Sequence, residues 1–287
     1  MAIEFQLGFP PAFLLSLFLA IVYVGSLYIW KTSADRDNPD TIKRRFLSVS
    51  IVCLLAPPFL WIFSSNSDAP DARTLWEWLG IRISGIIPAS VLPFVLTFVL
   101  FLGPVVLQYV EGIIYVFVDP RFWWASLRDI YWLRNHVVAP FSEEFIFRAC
   151  MLPLLVPSLG ATRAIFMCPL LFGVAHLHHV YEMVKQGTQF QDALFVCLFQ
   201  FVYTTLFGIY SGYLFVQTGH LAAPVIVHAF CNHMGFPNFG AVLSYKRLQT
   251  RLFLMAAFTL GLVGWVISVR RITEPSLYSN HIYSLDI

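Results

Sequence analysis

Charged side chains make up only 12% of this 287-residue sequence, against 58% hydrophobic ones. A soluble domain typically carries about 25% charged residues. At half that level, with a mean hydropathy of +0.72, the chain does not read as a water-soluble globule. No polar stretch is long enough to build a separate soluble domain, so residues 1–287 read as one integral membrane domain. The formal net charge of +2 is too small to mark a nucleic-acid partner. Cysteine pairs at CxxC spacing are missing as well. Cys53, Cys150, Cys168, Cys197 and Cys231 are scattered through apolar segments and read as small buried hydrophobes, not as disulfides or a zinc site. Neither HExxH nor HxxEH occurs, so the helix-borne zinc-protease signature is absent. There is no internal repeat or low-complexity tract. The first apolar run follows Glu4 without the basic leader of a cleaved signal, and reads as a retained span.

What the sequence does have is long apolar runs. Crossing roughly 30 Å of hydrocarbon takes about 20 helical residues. Such runs lie near 9–30, 46–64, 83–118, 136–157, 162–180, 193–218, 220–236 and 253–269. The expected fold is all-α, a polytopic bundle of about eight transmembrane helices. The run 83–118 is too long for one straight helix and contains Pro88, Pro93 and Pro104, so it reads as one span plus a re-entrant or interfacial piece, or as two crossings. Lys and Arg concentrate in the odd-numbered loops, including "KTSADRDNPDTIKRRF". The positive-inside rule puts those loops in the cytoplasm. Aromatic stretches such as "RFWWASLRDIYW" read as an interfacial belt.

Against this background the polar residues inside the spans stand out. "APFSEEFIFRACMLPLLVP" carries Glu143, Glu144 and Arg148, "RAIFMCPLLFGVAHLHHV" carries His176 near its end, and "LAAPVIVHAFCNHMGF" carries His228 and Asn232 in its later half. Adjacent spans run in opposite directions. The start of the first of these segments and the ends of the other two therefore fall on one side of the membrane. An ionisable residue at membrane depth is a functional candidate by default, because burying it costs a few kcal/mol, roughly 2.5–3.5 for Asp, Lys or Arg. Glu144 and Arg148 stand at i,i+4 and can pair, which lowers the cost of burying both. Glu143 is turned about 100° away on a helix of 3.6 residues per turn and is left to face something else. Phe172 and His176, and His228 and Asn232, are i,i+4 pairs too.

A carboxylate, a nearby imidazole and two convergent donors suit amide hydrolysis. Glu143 would take a proton from water with His176 orienting it, typically worth 10²–10⁴-fold. His228 and Asn232 would donate to the oxyanion, each worth on the order of 10²–10³ in rate. Other readings stand beside this one. Glu144–Arg148 is most simply a structural pair, and Phe172 packing. His178 and His179 fit a polar cap at the membrane edge, with His179 also placed at i,i+3 to support His176. Cys150 or Cys231 as nucleophile would need an imidazole facing it. A zinc site from Glu143, His176 and His228, and a proton-coupled transporter or non-catalytic membrane chaperone in which buried Glu and His form a relay, are the alternatives from other classes. A relay would spread its polar groups through the full depth, whereas these cluster towards one side.

The three patterns Glu-Glu-x-x-x-Arg in "EEFIFR", Phe-x-x-x-His in "FGVAH" and His-x-x-x-Asn in "HAFCN", in that order on separate hydrophobic segments, resemble the type II CAAX prenyl endopeptidases. The flanking words "RNHVVAPFSEE", "FGVAHLHH" and "HAFCNHMGFP" resemble the eukaryotic Ras-converting enzyme branch. The likeness is close over 134–237, the expected catalytic core. The resemblance implies an endopeptidase that removes the last three residues of farnesylated or geranylgeranylated CAAX proteins such as Ras-type small GTPases. It implies residence in the endoplasmic reticulum membrane with a site open to the cytosol; water rather than a metal is expected at Glu143, with no cofactor. It also assigns Glu143 and His176 to water activation and His228 and Asn232 to the oxyanion site; Glu144, Arg148, Phe172 and His179 are expected, from their helical spacing, to support them.

Overall fold

A computed structural model of the protein describes residues 2–30, 36–69, 72–175, 178–283 and 285, without the side chains of 172, 174, 175, 178 and 179. The chain opens with a short strand β1 (Ala2–Glu4), then helix α1 (Phe9–Ser26), whose start carries Pro10 and Pro11 in the first turn, where a missing N–H costs nothing. Helix α2 (Pro39–Ile62) begins at Asn38, whose side chain accepts from the Asp40 N–H at 2.9 Å. Two further strands, β2 (Ser65–Asn66) and β3 (Arg73–Thr74), flank β1 in a small antiparallel sheet ordered β2-β1-β3. A Thr74–Glu77 capping box starts α3 (Leu75–Trp78). This sheet is the one departure from the all-α expectation among the described residues, and the regular structure is otherwise helical.

The run expected over 83–118 becomes α4 (Ile86–Leu100) and α5 (Leu102–Val110), bent by 68° at Phe101, and then a 3-10 turn Ile113–Val118. Short helices α6 (Pro120–Ser126) and α7 (Ile130–Leu133) lead into the segment that carries the acidic pair. There a π-helical turn (Arg134–Val138), α8 (Ala139–Glu144), a second π turn (Phe145–Cys150) and α9 (Met151–Leu159) follow without interruption. After Gly160 come α10 (Ala161–Ala175), α11 (His178–Lys185) and α12 (Phe190–Thr218), which ends on a left-handed Gly219. Then α13 (Ala222–Met234), α14 (Phe239–Ser244) and α15 (Leu248–Ile272) complete the helices.

Among the described residues, α1, α2, α12 and α15 are long and apolar enough to cross a membrane, and the bent pair α4–α5 counts as a fifth only if its two helices form one broken span and not a re-entrant loop. Of the other expected spans, 136–157 falls in the continuous helical run of the two π turns, α8 and α9, and 220–236 in the shorter α13. At 1.5 Å per residue the 13 residues of α13 rise only about 20 Å. Apolar side chains such as Leu54, Phe195, Leu206 and Ile267 are exposed on the outer faces, as suits a lipid-facing surface. The main core forms where α1 and α2 wrap the second π turn, α9 and α10. Phe145 to Cys150 are all buried within it. Helix α12 crosses α10 closely at Gly208, where an added Cβ would sit 2.7 Å from the Pro169 side chain and 3.0 Å from the Arg148 guanidinium.

The end of the bundle away from the acidic pair is tied by Arg82. Its guanidinium donates to the carbonyls of Thr218 (2.9 Å) and Gly219 (3.1 Å) at the C-terminus of α12, and to Tyr278 (2.8 Å) and Ser279 (2.7 Å) in the C-terminal tail. Helix ends leave such carbonyls without intrahelical partners. In the turn between α12 and α13, His220 donates Nε2–H to Ser84 O at 2.7 Å.

Candidate active site

The site grows from α8 outward. Ser142 Oγ donates to Val138 O at 2.7 Å, so the Tyr23 hydroxyl of α1, 2.9 Å away, is the donor to Ser142 Oγ. That contact pins α8 to α1 at the residue before the acidic pair. Glu144 next is fully buried, and Arg148 nearly so. Their side chains meet at 3.2 Å, Arg148 Nη1 to Glu144 Oε1. The pair bridges α8 and the π turn, which keeps the whole residue run FIFRAC turned into the core. Inserted π turns recur at functional sites because they re-aim side chains.

Glu144 does more than balance Arg148. Its Oε1 accepts from His228 Nδ1 on α13 at 2.7 Å, and its Oε2 accepts from the Ser211 hydroxyl on α12. One carboxylate therefore joins three segments far apart in sequence. The Phe207 ring of α12 closes the cluster, its centroid 4.7 Å from the His228 ring and 5.9 Å from the Arg148 guanidinium carbon.

Glu143 faces this cluster from the other side. Its Oε2 lies 3.8 Å from His228 Nε2, and its side chain is 21% exposed where that of Glu144 is 0%. Of the two carboxylates only Glu143 can meet water. His228 sits between them, one ring nitrogen on each. Asn232 lies one turn further along α13, exposed, with its Nδ2 donating to Asn135 O at 2.9 Å in the first π turn. His176 lies outside the described residues, as do the side chains of Phe172 and His179.

The structure thus gathers Glu143, Glu144, Arg148 and His228, and adds Ser211, Tyr23 and Ser142, which the motifs did not reveal. Ser211 had only a weak signal, a hydroxyl and two glycines at "GIYSGY" in an otherwise oily helix. Around Asn232, His136 stacks on Trp132 at 4.8 Å and lies 5.6 Å from His233, forming an aromatic wall beside the rim.

Comparison with known proteins bears on the same region. A family model described as type II CAAX prenyl endopeptidase Rce1-like matches residues 123–234. The chain is 42% identical to the CAAX prenyl protease 2 of Homo sapiens over 270 residues, covering 91% of this chain and 81% of that protein. It is 31% identical to the CAAX prenyl protease 2 of Arabidopsis thaliana over 284 residues, covering 92% and 88%, and 30% identical to that of Caenorhabditis elegans, covering 88% and 94%. The chain belongs to the CAAX prenyl protease 2 family. The family segment contains every residue of the buried cluster, Ser211 included, and excludes Tyr23, which holds α8 from outside it. No solved structure matches the chain.

Proposed function

We propose that this CAAX prenyl protease 2 family member is an integral membrane endopeptidase that removes the C-terminal aaX tripeptide from farnesylated or geranylgeranylated CAAX proteins, Ras-type small GTPases among them. The observation that carries the reading is the Glu143–His228 juxtaposition, with a part-exposed carboxylate 3.8 Å from an imidazole that is itself anchored on buried Glu144.

In this mechanism Glu143 takes a proton from a water molecule as its oxygen attacks the carbonyl carbon of the prenylcysteine. His176 orients that water. The carbonyl oxygen becomes an oxyanion, which accepts from His228 Nε2–H and Asn232 Nδ2–H. Glu143 then passes its proton to the departing amine. The C–N bond breaks, leaving a prenylcysteine carboxylate and a free tripeptide. Donors placed where charge develops are worth most in such a site, because they need no reorganisation. The apolar surroundings suit the isoprenoid, each buried methylene contributing roughly 0.8 kcal/mol.

The protein resides in the endoplasmic reticulum membrane as a multi-pass bundle of about eight spans, with the site opening to the cytosol where CAAX tails are found. Support comes from the basic residues of the odd-numbered loops and from the common end of the bundle shared by Glu143 and the later half of α13. The test is cleavage of a farnesylated CAAX peptide beside its unprenylated counterpart, in strong chelator and without it. Prenyl-dependent cleavage that persists in chelator is expected. Absence of any proteolysis favours the transporter reading, and loss in chelator with stoichiometric zinc favours a metal site.

A further inference from the structure

Asn232 is exposed at the rim, and the terminal torsion of an unheld amide is broad and roughly two-fold. The 2.9 Å bond from its Nδ2 to Asn135 O removes that freedom. A carbonyl is met only by the NH2 end of an amide, so the contact decides which end is which. One N–H goes to Asn135, and the second lies in the same plane for another acceptor.

Sequence and backbone together make the Asn135 carbonyl available. In an α-helix it would accept from the N–H of Ala139, four residues on. The first π turn instead sends the Ala139 N–H to Arg134 O. The next residue is Pro140, which has no N–H to donate. Arg134 braces the same turn from the side. It donates Nε–H to Asn135 Oδ1 at 3.0 Å and Nη1–H to Asp37 Oδ1 at 2.7 Å, ahead of α2. The second of these bonds holds the Asp37 carboxyl below its usual range, so the pair stays charged at neutral pH. Asp37 is 56% exposed, and exposed pairs add little to stability. Its effect here is to hold Asn135 in place.

We infer that the first π turn, with Arg134 and Pro140, positions the oxyanion donor Asn232 by presenting the Asn135 carbonyl to its amide. The inference rests on the hydrolytic reading above and deepens it. It explains how an exposed side chain keeps an N–H, and not its own C=O, toward the developing charge. Arg134, Asn135 and Pro140 act through Asn232 and are positioning residues.

The experiment is a double-mutant cycle in nanodiscs, with kcat and KM measured on a farnesylated peptide for the wild type, Arg134→Gln, Asn232→Ala and the double variant. Losing an oxyanion donor costs on the order of 10²–10³ in rate, and misplacing one costs part of that. Arg134→Gln is expected to lower kcat about tenfold while KM stays within about twofold of wild type. In the Asn232→Ala background the same change is expected to lower kcat by less than about twofold. An unchanged kcat, an equal fall in both backgrounds, or a change confined to KM overturns the inference. If Arg134→Gln inserts poorly, Pro140→Ala takes its place in the cycle, because it restores a main-chain N–H that competes for the Asn135 carbonyl. If Asn232→Ala turns over too slowly to measure, the side-chain ¹⁵N resonance of Asn232 decides. Arg134→Gln is expected to shift it, and an unmoved resonance overturns the inference. Wild-type kcat in Asn232→Ala would instead remove the oxyanion assignment from the hydrolytic reading itself, whatever the effect of Arg134.

Discussion

Two adjacent glutamates divide the chemistry by their surroundings. Glu143 is part-exposed and faces an imidazole edge, while Glu144 has no exposure, accepts from His228 and Ser211 and pairs with Arg148. Truncating Glu144 leaves the Arg148 charge buried without its carboxylate, and breaking a buried pair from one side costs about 3–5 kcal/mol. Glu144→Ala is therefore expected to lower the thermal midpoint in detergent by several degrees, whereas Glu143→Ala leaves it near wild type. A Glu144→Ala midpoint equal to wild type would contradict the role given to that carboxylate. The acidic pair, Arg148 and His228 were legible in the sequence because charges are scarce in oily segments and fall at i,i+4. Ser211 and Tyr23 were not, since lone hydroxyls are common in apolar helices and theirs reach across to Glu144 and Ser142 on other elements. The i,i+4 spacing of His228 and Asn232 suggested one shared target, and the Asn232 amide also donates a hydrogen bond to the rim carbonyl of Asn135.

At the scale of elements, local signals placed the helices and tertiary contacts shaped them. Apolar length located α1, α2, α12 and α15 near their expected runs, and the prolines of 83–118 pointed to an interruption that appears as the 68° bend at Phe101. The π turns flanking α8 carry no sequence signature, because the side chains that stabilise them belong to α1, α12 and α13. The small sheet was equally hidden, its strands being two or three residues long. Gly85 starts α4 at φ 78°, and an added Cβ would strike the backbone carbonyl of Tyr278. A side chain there meets both left-handed strain and a collision with the tail that Arg82 anchors. Gly85→Ala should cost more than about 1 kcal/mol, read as a lower thermal midpoint in detergent. A midpoint unchanged from wild type would show that the tail moves aside without cost.

For the molecule as a whole, the scarcity of charge predicted a membrane bundle, and α1, α2, α12 and α15 are long and apolar, with apolar side chains exposed on their outer faces. Among the described residues four single helices, or five spans with the bent pair α4–α5 taken as one, are long and apolar enough to cross, and α13 is short for a single crossing. Orientation rests on loop charge alone. Glycosylation acceptors inserted at 66–72 are expected to be modified in endoplasmic reticulum membranes and those at 31–38 to remain bare. The opposite pattern would invert the bundle and turn the site away from the cytosol.

The central claim is that Glu143 activates water on a prenylated CAAX tail. It is tested most directly by cleavage of a farnesylated CAAX peptide in membranes containing equal amounts of inserted wild-type protein or Glu143→Ala. Release of the aaX tripeptide by the wild type and a fall of at least about 10²-fold in the variant is the predicted result. Cleavage by Glu143→Ala at the wild-type rate would contradict it.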